Sequence, residues 1–470
     1  MEQLSNNYGE FAHFPEKVIQ FGEGNFMRGF VDWQLQQMNK QGLFNGSAVV
    51  VQPISQGLGK MLKEQDYLYT VILEGLLDGK TVNTSEIIST VNRVLNPYEE
   101  WQEYLALAED ENLEIILSNT TEAGIAYDES DALTDMPPKS FPAKLTALLY
   151  KRYQLQKPGF TIIPCELIDR NGEKLLAIIQ QYADLWDLEA DFKTWLTKEN
   201  TFCCSLVDRI VPGYPRDRAD ELNEKHGYID NLMVKAEPFM LWVIEGPQKI
   251  KEILPLQEAG LNVIVTDDMT PYRERKVHLL NGPHTAMVPL ARLAGLETVE
   301  EVMLDAVFSV FVDDLFAREL IPMLDLPEAE LAAYAEQIKE RFKNPFVRHE
   351  LSSIALNSVS KFQARLLPIL LRFYDTKNAL PLGITAALAA LIVSYLQEAG
   401  NDDAEVLALF AEAKELPTTE QVAFLLAQTK LWGQDLTEVA PLVDTVNELV
   451  QKIHEVGTRA VIKEIHQQAE

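Results

Sequence analysis

The sequence predicts an α/β fold, with a doubly wound parallel-sheet domain over residues 1–270 followed by a mostly α-helical domain over residues 271–470. In the first half, short apolar runs alternate with helical stretches, which is typical of parallel strands covered on both faces. From about residue 271, long amphipathic helices replace the strands. The chain has 470 residues, 47% of them hydrophobic, so it is long enough for two or three domains.

The individual elements follow from the spacing of apolar residues. We expect strands in the runs EKVIQFG (16–22), SAVVVQPI (47–54), LEIILSNTTE (113–122), FTIIPCELI (160–168) and LNVIVTDDM (261–269). We expect helices at 304–320, 327–342, 384–396 and 444–465, with prolines 271, 322, 327, 345, 368 and 381 at helix boundaries. The apolar run 382–396 is too short to span a membrane, so it predicts a buried helix.

Composition excludes several classes of partner. The formal net charge of −30 argues against binding to nucleic acid or to an anionic membrane surface. The N-terminus lacks the pattern of a secretory signal. Cys165, Cys203 and Cys204 form neither a disulfide framework nor a metal-ligand pattern with histidines, so we expect a reducing cytoplasm and no metal site. We expect a monomer or a small homo-oligomer.

A glycine-rich turn follows the first expected strand, in FGEGNFMRGF at 21–30. Gly22 and Gly24 allow a tight turn and a close approach of backbone to a pyrophosphate, at the N-terminus of the next helix. This pattern predicts a Rossmann-like dinucleotide site that includes Phe21, Gly22, Gly24, Asn25, Phe26 and Arg28, with Arg28 pairing a phosphate oxygen. Met27 replaces the usual third glycine, so an ordinary strand-to-helix turn is the alternative.

Two further segments bear on the cofactor. The second expected strand ends in Gln52, where an acid that binds the adenosine ribose usually stands. No arginine cluster replaces that acid, which favours NAD over NADP. At the end of a later strand, Thr120, Thr121 and Glu122 are expected to hydrogen-bond a ribose or a carboxamide, although a polar turn is the simpler interpretation.

The segment PYRERKVHLLNGPHTAMVPL places Lys276, Asn281 and His284 within nine residues. On a regular helix the three side chains share an arc of roughly 140°. A lysine whose pKa falls from about 10.4 toward neutrality exchanges protons with a carbonyl oxygen that an amide and an imidazole hold. A solvated helix face with a core histidine is the alternative. Pro283 predicts a kink near Asn281.

The blocks GEGNFMRGF, NTTEAG, PCELIDRNG, LVDRIVPGYPRD and PYRERK-x4-N-x2-H resemble the long-chain polyol dehydrogenase family that includes mannitol dehydrogenase. The resemblance covers nearly the whole chain and implies a metal-independent, NAD-dependent oxidoreductase. It implies that Lys276 is the general acid/base, Asn281 an oxyanion donor and His284 a substrate-orienting group. Mannitol-type members have C-D-N where this chain has Cys165-Glu166-Leu167, so the second oxyanion asparagine is missing there.

Within that family, the blocks are most similar to members that interconvert D-altronate and D-tagaturonate. The alternatives are reduction of fructuronate to D-mannonate, and a nucleotide-sensing or scaffold protein without activity. A sugar acid needs a cationic partner, and residues 341–365 carry five basic side chains against one acid: Arg341, Lys343, Arg348, Lys361 and Arg365 against Glu350. Our hypothesis is that Arg341 and Lys361 bind the substrate carboxylate.

Overall fold

The computed structural model describes residues 1–398 and 400–469. It divides into two compact units. The first comprises Met1–Glu74 and Thr81–Met269, and the second comprises Gly75–Lys80 and Thr270–Glu470. The α/β fold class expected from the sequence is confirmed.

A six-stranded parallel sheet forms the centre of the first unit. The strands lie in this unit, except that residues 75–77 of β3 and residue 80 of β4 belong to the second unit. They are β1 Glu16–Phe21, β2 Ser47–Val51, β3 Tyr69–Leu77, β4 Lys80–Ile88, β5 Val91–Leu95, β6 Ile115–Ser118, β7 Thr161–Pro164, β8 Thr201–Phe202, β9 Cys204–Asp208, β10 Val234–Ala236, β11 Leu241–Glu245 and β12 Val263–Thr266. The sheet has the order β5-β2-β1-β6-β7-β8, and its strands pair in parallel. The strand order reverses between β1 and β6, where open α/β sheets bind ligands.

Both faces of this sheet are covered, as the continuous apolar runs predict. On β1, the buried side chains of Ile19 and Phe21 belong to one hydrophobic cluster, whereas Val18 belongs to another. Successive side chains of a strand point to opposite faces. A strand buried on both faces therefore favours apolar residues at consecutive positions, as at Val18 and Ile19 of β1.

Two smaller sheets complete the strands, and they correct the expectation from the sequence. The run 261–269 does form β12, but β12 pairs with β11 in a three-stranded sheet of order β12-β11-β9, outside the six-stranded sheet. The other sheet, of order β10-β3-β4, was not expected. Its β3–β4 hairpin turns at Asp78 and Gly79, which have φ of 51° and 72°. Two positive φ values are typical of a tight hairpin turn.

Helices make up the rest of both units. In the first unit they are Asn6–Tyr8, Asn25–Met27, Arg28–Asp32, Trp33–Lys40, Gly59–Glu64, Trp101–Ala106, Leu107–Glu109, Phe141–Gln154, Asn171–Leu185, Ala190–Lys198, Ala219–His226 and Ile250–Ile253. In the second unit they are Thr270–Arg275, Lys276–Asn281, Gly282–Leu293, Val299–Leu304, Ala306–Asp314, Leu315–Leu320, Ile321–Met323, Glu328–Phe342, Leu351–Ile354, Ser358–Arg365, Leu367–Lys377, Leu382–Gln397, Ala404–Lys414, Thr418–Leu426, Thr429–Trp432, Leu436–Glu438, Leu442–Val456 and Thr458–Ala469.

The helical expectations for the second unit are largely confirmed. The expected helix at 444–465 is two helices, because Gly457 adopts a φ of 78° between them. Left-handed backbone ends a helix, and glycine adopts it without strain. The apolar helix Leu382–Gln397 is buried over most of its length. In the part of the chain that the structure describes, no helix has the length and apolar character needed to cross a membrane.

Glu319 gives the second unit a testable pH dependence. Burial raises the pKa of its carboxyl to about 7, although the N–H groups of Gly383 and Ile384 donate to it at 2.7 and 2.9 Å and oppose that rise. Because folding then favours the protonated acid, stability is greatest below the unfolded value of 4.5 and falls as pH rises to about 7. Glu319→Gln stays neutral throughout, so urea unfolding should lose that part of its pH dependence.

The control is Glu412→Gln, which removes an exposed carboxylate from the helix Ala404–Lys414. It should keep the wild-type difference in unfolding free energy between about pH 4.5 and 7.5. An unchanged difference in Glu319→Gln would contradict the assignment.

Candidate active site

The glycine-rich turn lies at the point where the strand order reverses. Gly22 has a φ of 112°, and a Cβ atom there would lie 2.6 Å from the backbone oxygen of Asn119. Gly24 is different, because a Cβ atom there would meet no atom within 4 Å. Gly22 is therefore required by the positive φ and by the close approach of the Asn119 backbone, whereas the space beside Gly24 is open for a ligand.

A helix begins at Asn25, directly after this turn, and its first free N–H groups are available to a phosphate. The helix continues through a π-helical stretch, Arg28–Asp32, into Trp33–Lys40. A Cβ atom at Gly29 would lie 2.9 Å from Val234 and 3.1 Å from Val211. Close packing of the helix therefore requires a glycine at Gly29, two positions after Met27.

Arg28 does not fit the expected phosphate contact. It is 3% exposed, and its Nε donates to the Glu23 carbonyl at 3.0 Å. The guanidinium also donates to the Leu232 carbonyl and, at 2.8 Å, to Asn25 Oδ1. Its carbon lies 5.2 Å from the centre of the Tyr69 ring. Arg28 is a buried cation that holds the turn to the rest of the unit.

Three other expected cofactor residues also have structural contacts. Phe21 is fully buried, with its ring 4.8 Å from that of Phe141, so it is a core residue and not a cofactor contact. Phe26 is half-buried and stacks on Phe30 at 4.8 Å. Asn25 is exposed at the helix start, with its side-chain oxygen on Arg28. Of the three, Asn25 is placed best for a ligand.

Gln52 is buried at the end of β2, and its side-chain amide is used by the following loop. Its Nε2 donates to the Ile54 carbonyl at 2.8 Å, and its Oε1 accepts from the Gly59 N–H at 3.2 Å. The residue is 3% exposed. Gln52 thus shapes the loop after β2.

Residues 120–122, which follow β6, were expected to contact a ribose or a carboxamide, and the buried acid Glu166 holds the start of this segment. Glu166 accepts from the backbone N–H and the hydroxyl of Thr120, both at 2.9 Å, and from the hydroxyl of Ser118 at 3.0 Å. Burial raises the pKa of the Glu166 carboxyl. Thr121, with a φ of 70°, and Glu122 are exposed at the tip of this turn. These two residues are accessible to a ligand, whereas the Thr120 hydroxyl is held by Glu166.

Asn171 is not available as the missing second oxyanion donor. Its amide nitrogen contacts the carbonyls of Pro164, Glu166 and Ser205 at 3.0 to 3.1 Å. Its side-chain oxygen accepts from Gly172 and Ser205. With full burial, these contacts make Asn171 a structural link between neighbouring strands and the helix that it begins.

In the second unit, Lys276 and Asn281 stand at the two ends of a π-helical turn, Lys276–Asn281. Hydrogen bonds of a π turn join residues i and i+5, so these two residues lie about one turn apart on the same side. On an α-helix they would diverge by about 140°. Pro283 lies in the first turn of the next helix, Gly282–Leu293, so the expected irregularity near Asn281 is a change of helix type. Both side chains are half-buried.

His284 lies in a cationic environment. It is 9% exposed, and its ring centre is 4.2 Å from that of Phe342 and 4.9 Å from that of His349. Burial lowers the pKa of His284 well below 6.5, and His349, Arg341, Arg365 and Lys361 lower it further. The imidazole is therefore neutral, and its buried Nε2 has no hydrogen-bond partner among the described residues.

The structure thus brings the two expected carboxylate ligands, Arg341 and Lys361, to the surroundings of His284. Arg341 is 8% exposed. The Nζ of Lys361 donates to the Ile354 carbonyl at 2.8 Å, and burial together with Arg365 lowers its pKa. Arg341 is therefore buried within the unit, whereas Lys361 is half-buried.

Two members of this environment, Arg365 and His349, were not singled out by the sequence analysis. Arg365 donates to the Thr285 hydroxyl at 3.2 Å, and that hydroxyl donates to the Asn281 carbonyl at 3.0 Å. His278 Nδ1 lies 2.7 Å from the Arg365 carbonyl and donates to it. Arg365 is therefore bound to the helix that carries the Lys–Asn–His set. In the sequence, the only indication of a role for Arg365 was its place among the five basic residues of 341–365.

Comparisons with known proteins agree with both units. The model described as "Mannitol dehydrogenase Rossmann domain" matches residues 16–257, and "Mannitol dehydrogenase C-terminal domain" matches residues 268–454. The chain belongs to the mannitol dehydrogenase family. Among solved structures, this member of the family is similar to Pseudomonas fluorescens mannitol 2-dehydrogenase, in a ternary complex with NAD and D-mannitol, at a TM-score of 0.71 and 22% identity, over 99% of this chain and 100% of that chain. A D-sorbitol dehydrogenase in substrate-free form has a TM-score of 0.80 at 22% identity, over 96% and 95%.

Curated relatives of this mannitol dehydrogenase family member are more similar in sequence. Altronate oxidoreductase of Yersinia enterocolitica is 46% identical over 95% of this chain and 96% of its own length. Altronate oxidoreductase of Bacillus subtilis is 45% identical over 99% and 98%. The similarity extends over both units.

One group of three potential metal ligands occurs among the described residues: Glu173, Cys204 and Glu245. Arg170 donates to the carboxylates of Glu173 and, at 2.8 Å, of Glu245. One guanidinium therefore pairs with both acids, and this group is interpreted as an ion-pair cluster.

Proposed function

We propose that this chain is an NAD-dependent oxidoreductase that interconverts D-altronate and D-tagaturonate. The observation that carries the proposal is the group of three cations around His284, namely Arg341, Lys361 and Arg365. His284 lies on the same segment as Lys276 and Asn281. Arg341 is buried, and Lys361 and Arg365 are half-buried. In a chain of net charge −30, such cations beside a proton-transfer set suit an anionic sugar. The names of the relatives at 45–46% identity supply the particular sugar acid.

NAD fits the residues of the first unit. Open space at Gly24, the free N–H groups from Asn25 onward and the exposed Thr121 and Glu122 would hold it. When bound, NAD+ supplies the acceptor for the hydride that leaves the carbinol carbon.

The residues of the second unit handle the proton and the substrate. In altronate oxidation, the neutral amine of Lys276 takes the proton of the reacting hydroxyl. The Asn281 amide donates to that oxygen as charge develops, and neutral His284 orients a sugar hydroxyl through Nε2. Arg341 and Lys361, with Arg365, hold the carboxylate. In the reverse reaction the Lys276 ammonium returns the proton.

The test measures NADH consumption with tagaturonate, fructuronate and fructose side by side. We expect tagaturonate to have the highest kcat/KM. Preference for fructuronate would favour the mannonate reaction, and preference for fructose would contradict a carboxylate site. Absence of turnover with all three, alongside NADH binding, would indicate a nucleotide-sensing protein.

The same proposal places the activity in the cytoplasm, without a metal, in a monomer or a small homo-oligomer. The cytoplasmic location is supported by three buried cysteines that are free thiols.

A pair of glycine variants tests the cofactor part. A methyl group at Gly24 meets no protein atom, so Gly24→Ala should melt within about 2 °C of the wild type but bind NADH at least about 10-fold more weakly. At Gly22, the φ of 112° and the 2.6 Å approach to Asn119 should make Gly22→Ala costly by about 1–3 kcal/mol of folding stability. Thermal melts and NADH fluorescence titrations measure both. Normal NADH affinity in Gly24→Ala would contradict the site.

A further inference from the structure

Glu23, between the two glycines of the turn, is a buried acid that the proposed chemistry does not use. It is 7% exposed, and its Oε1 accepts from the Leu58 N–H at 3.2 Å. A Cβ atom at Gly57 would lie 2.1 Å from that oxygen. The loop after β2 therefore closes directly on this carboxylate, and Gly57 has no side chain because the carboxylate lies there.

Gln52 shares the same location. Its side chain would also meet a Cβ atom at Gly57, at 2.7 Å, so Glu23 and Gln52 lie side by side against this glycine. Gln52 stands where many dinucleotide-binding proteins have their ribose-binding acid, but its amide is bonded to Ile54 and Gly59. In this chain, the acid next to Gln52 is Glu23, which comes from the turn after β1.

Burial raises the pKa of the Glu23 carboxyl, so its charge is more costly here than in water. The Leu58 N–H and the nearby Arg28 guanidinium both oppose that rise. Arg28 is itself held in place by its bond to the Glu23 carbonyl at 3.0 Å. A carboxylate is costly to bury, so keeping one beside a ligand-binding turn is favoured where it bonds the ligand.

We propose that Glu23 is the ribose-binding acid of this chain and the residue that sets its preference for NAD over NADP. Its carboxylate accepts hydrogen bonds from the hydroxyls of the adenosine ribose, and its charge repels a 2′-phosphate at the same place. This inference rests on the proposed function in one respect, the binding of NAD.

Direct binding tests the inference without any sugar substrate. NADH and NADPH are titrated against the wild type and Glu23→Gln, following the fluorescence of the bound cofactor. The amide keeps the size of the side chain and an acceptor for Leu58, but it loses the charge. We expect NADH to bind about 10-fold more weakly and NADPH no more weakly than before, so the NADH/NADPH affinity ratio falls at least about 10-fold.

The matched control is Glu16→Gln at the other end of β1, where the carboxylate pairs with Arg93 at 2.8 Å. It removes one charge from the same strand and should leave the affinity ratio unchanged. If Glu23→Gln weakens both cofactors equally, Glu23 only supports the loop and the inference is overturned.

A second measurement uses the unaltered chain and therefore does not depend on the folding of a variant. NADH that lacks the 2′-hydroxyl of the adenosine ribose should bind at least about 10-fold more weakly than NADH. Equal binding would overturn the role of Glu23, while NAD use would stand. Failure of the wild type to bind NADH at all would contradict the proposed function as well, so the two failures are distinguishable.

Discussion

Lys276→Ala should lower the kcat of altronate oxidation at least about 10²-fold, because it removes the group that we propose takes the hydroxyl proton. NADH affinity should stay within about two-fold, since the proposed cofactor contacts lie in the first unit. The oxidation rate of the wild type should rise with pH as the amine loses its proton, and this rise should be absent in the variant. Initial rates of NADH formation from about pH 6 to pH 10 measure both.

Two controls separate proton transfer from general damage. Lys377→Ala removes an exposed lysine at the end of the helix Leu367–Lys377 and should leave kcat unchanged. Added methylamine should partly restore the activity of Lys276→Ala, because a small amine fits the space of the missing side chain and can accept the proton. A near-normal rate in Lys276→Ala would exclude Lys276 as the acid/base group.

The parallel sheet was predictable because its pattern is local. Consecutive apolar residues in runs such as 16–22 and 47–54 indicate strands covered on both faces, and these runs are β1 and β2. The hairpin of β3 and β4 was missed, although the Asp78–Gly79 pair is a hairpin signal. The charged and polar residues of Lys80–Ile88 lack the continuous apolar pattern that indicates a buried strand.

The turn was predicted correctly as a turn, but its contacts depend on distant residues. Arg28 suggested a phosphate ligand, yet its guanidinium reaches the Leu232 carbonyl, 204 positions away. The departure at Met27 also has a structural reason, because Gly29 provides the close contact with Val211 and Val234. Only the fold shows which glycine a helix needs for packing.

The candidate site in the second unit was predicted in part. The spacing of Lys276, Asn281 and His284 was read as a regular helix, whereas a π turn aligns the first two more closely. The local charge excess at 341–365 indicated an anion site. The helices Glu328–Phe342 and Ser358–Arg365 carry the cations near His284. Their packing determines which cations approach the imidazole, and the sequence alone does not predict that packing.

Arg341→Ala should raise the KM for altronate about 10- to 10²-fold and barely change the KM for an uncharged polyol such as D-mannitol. A hydrogen bond to a charged group contributes about 1.5–3 kcal/mol, which corresponds to this range. Arg341 is 8% exposed, so little solvent screens its charge. Arg341→Lys should recover part of the loss, because it restores the charge without the planar fork. Steady-state rates with both substrates measure the difference.

Lys361→Ala and Arg365→Ala should act in the same direction, since both cations lie near His284. Lys343→Ala is the matched control, because Lys343 is exposed two residues after Arg341 and should leave both KM values unchanged. His284 is neutral in this cationic environment, so it does not replace a lost charge at neutral pH. An equal rise in KM for altronate and for the polyol would mean that Arg341 supports the fold of the site, and the carboxylate would then need another partner.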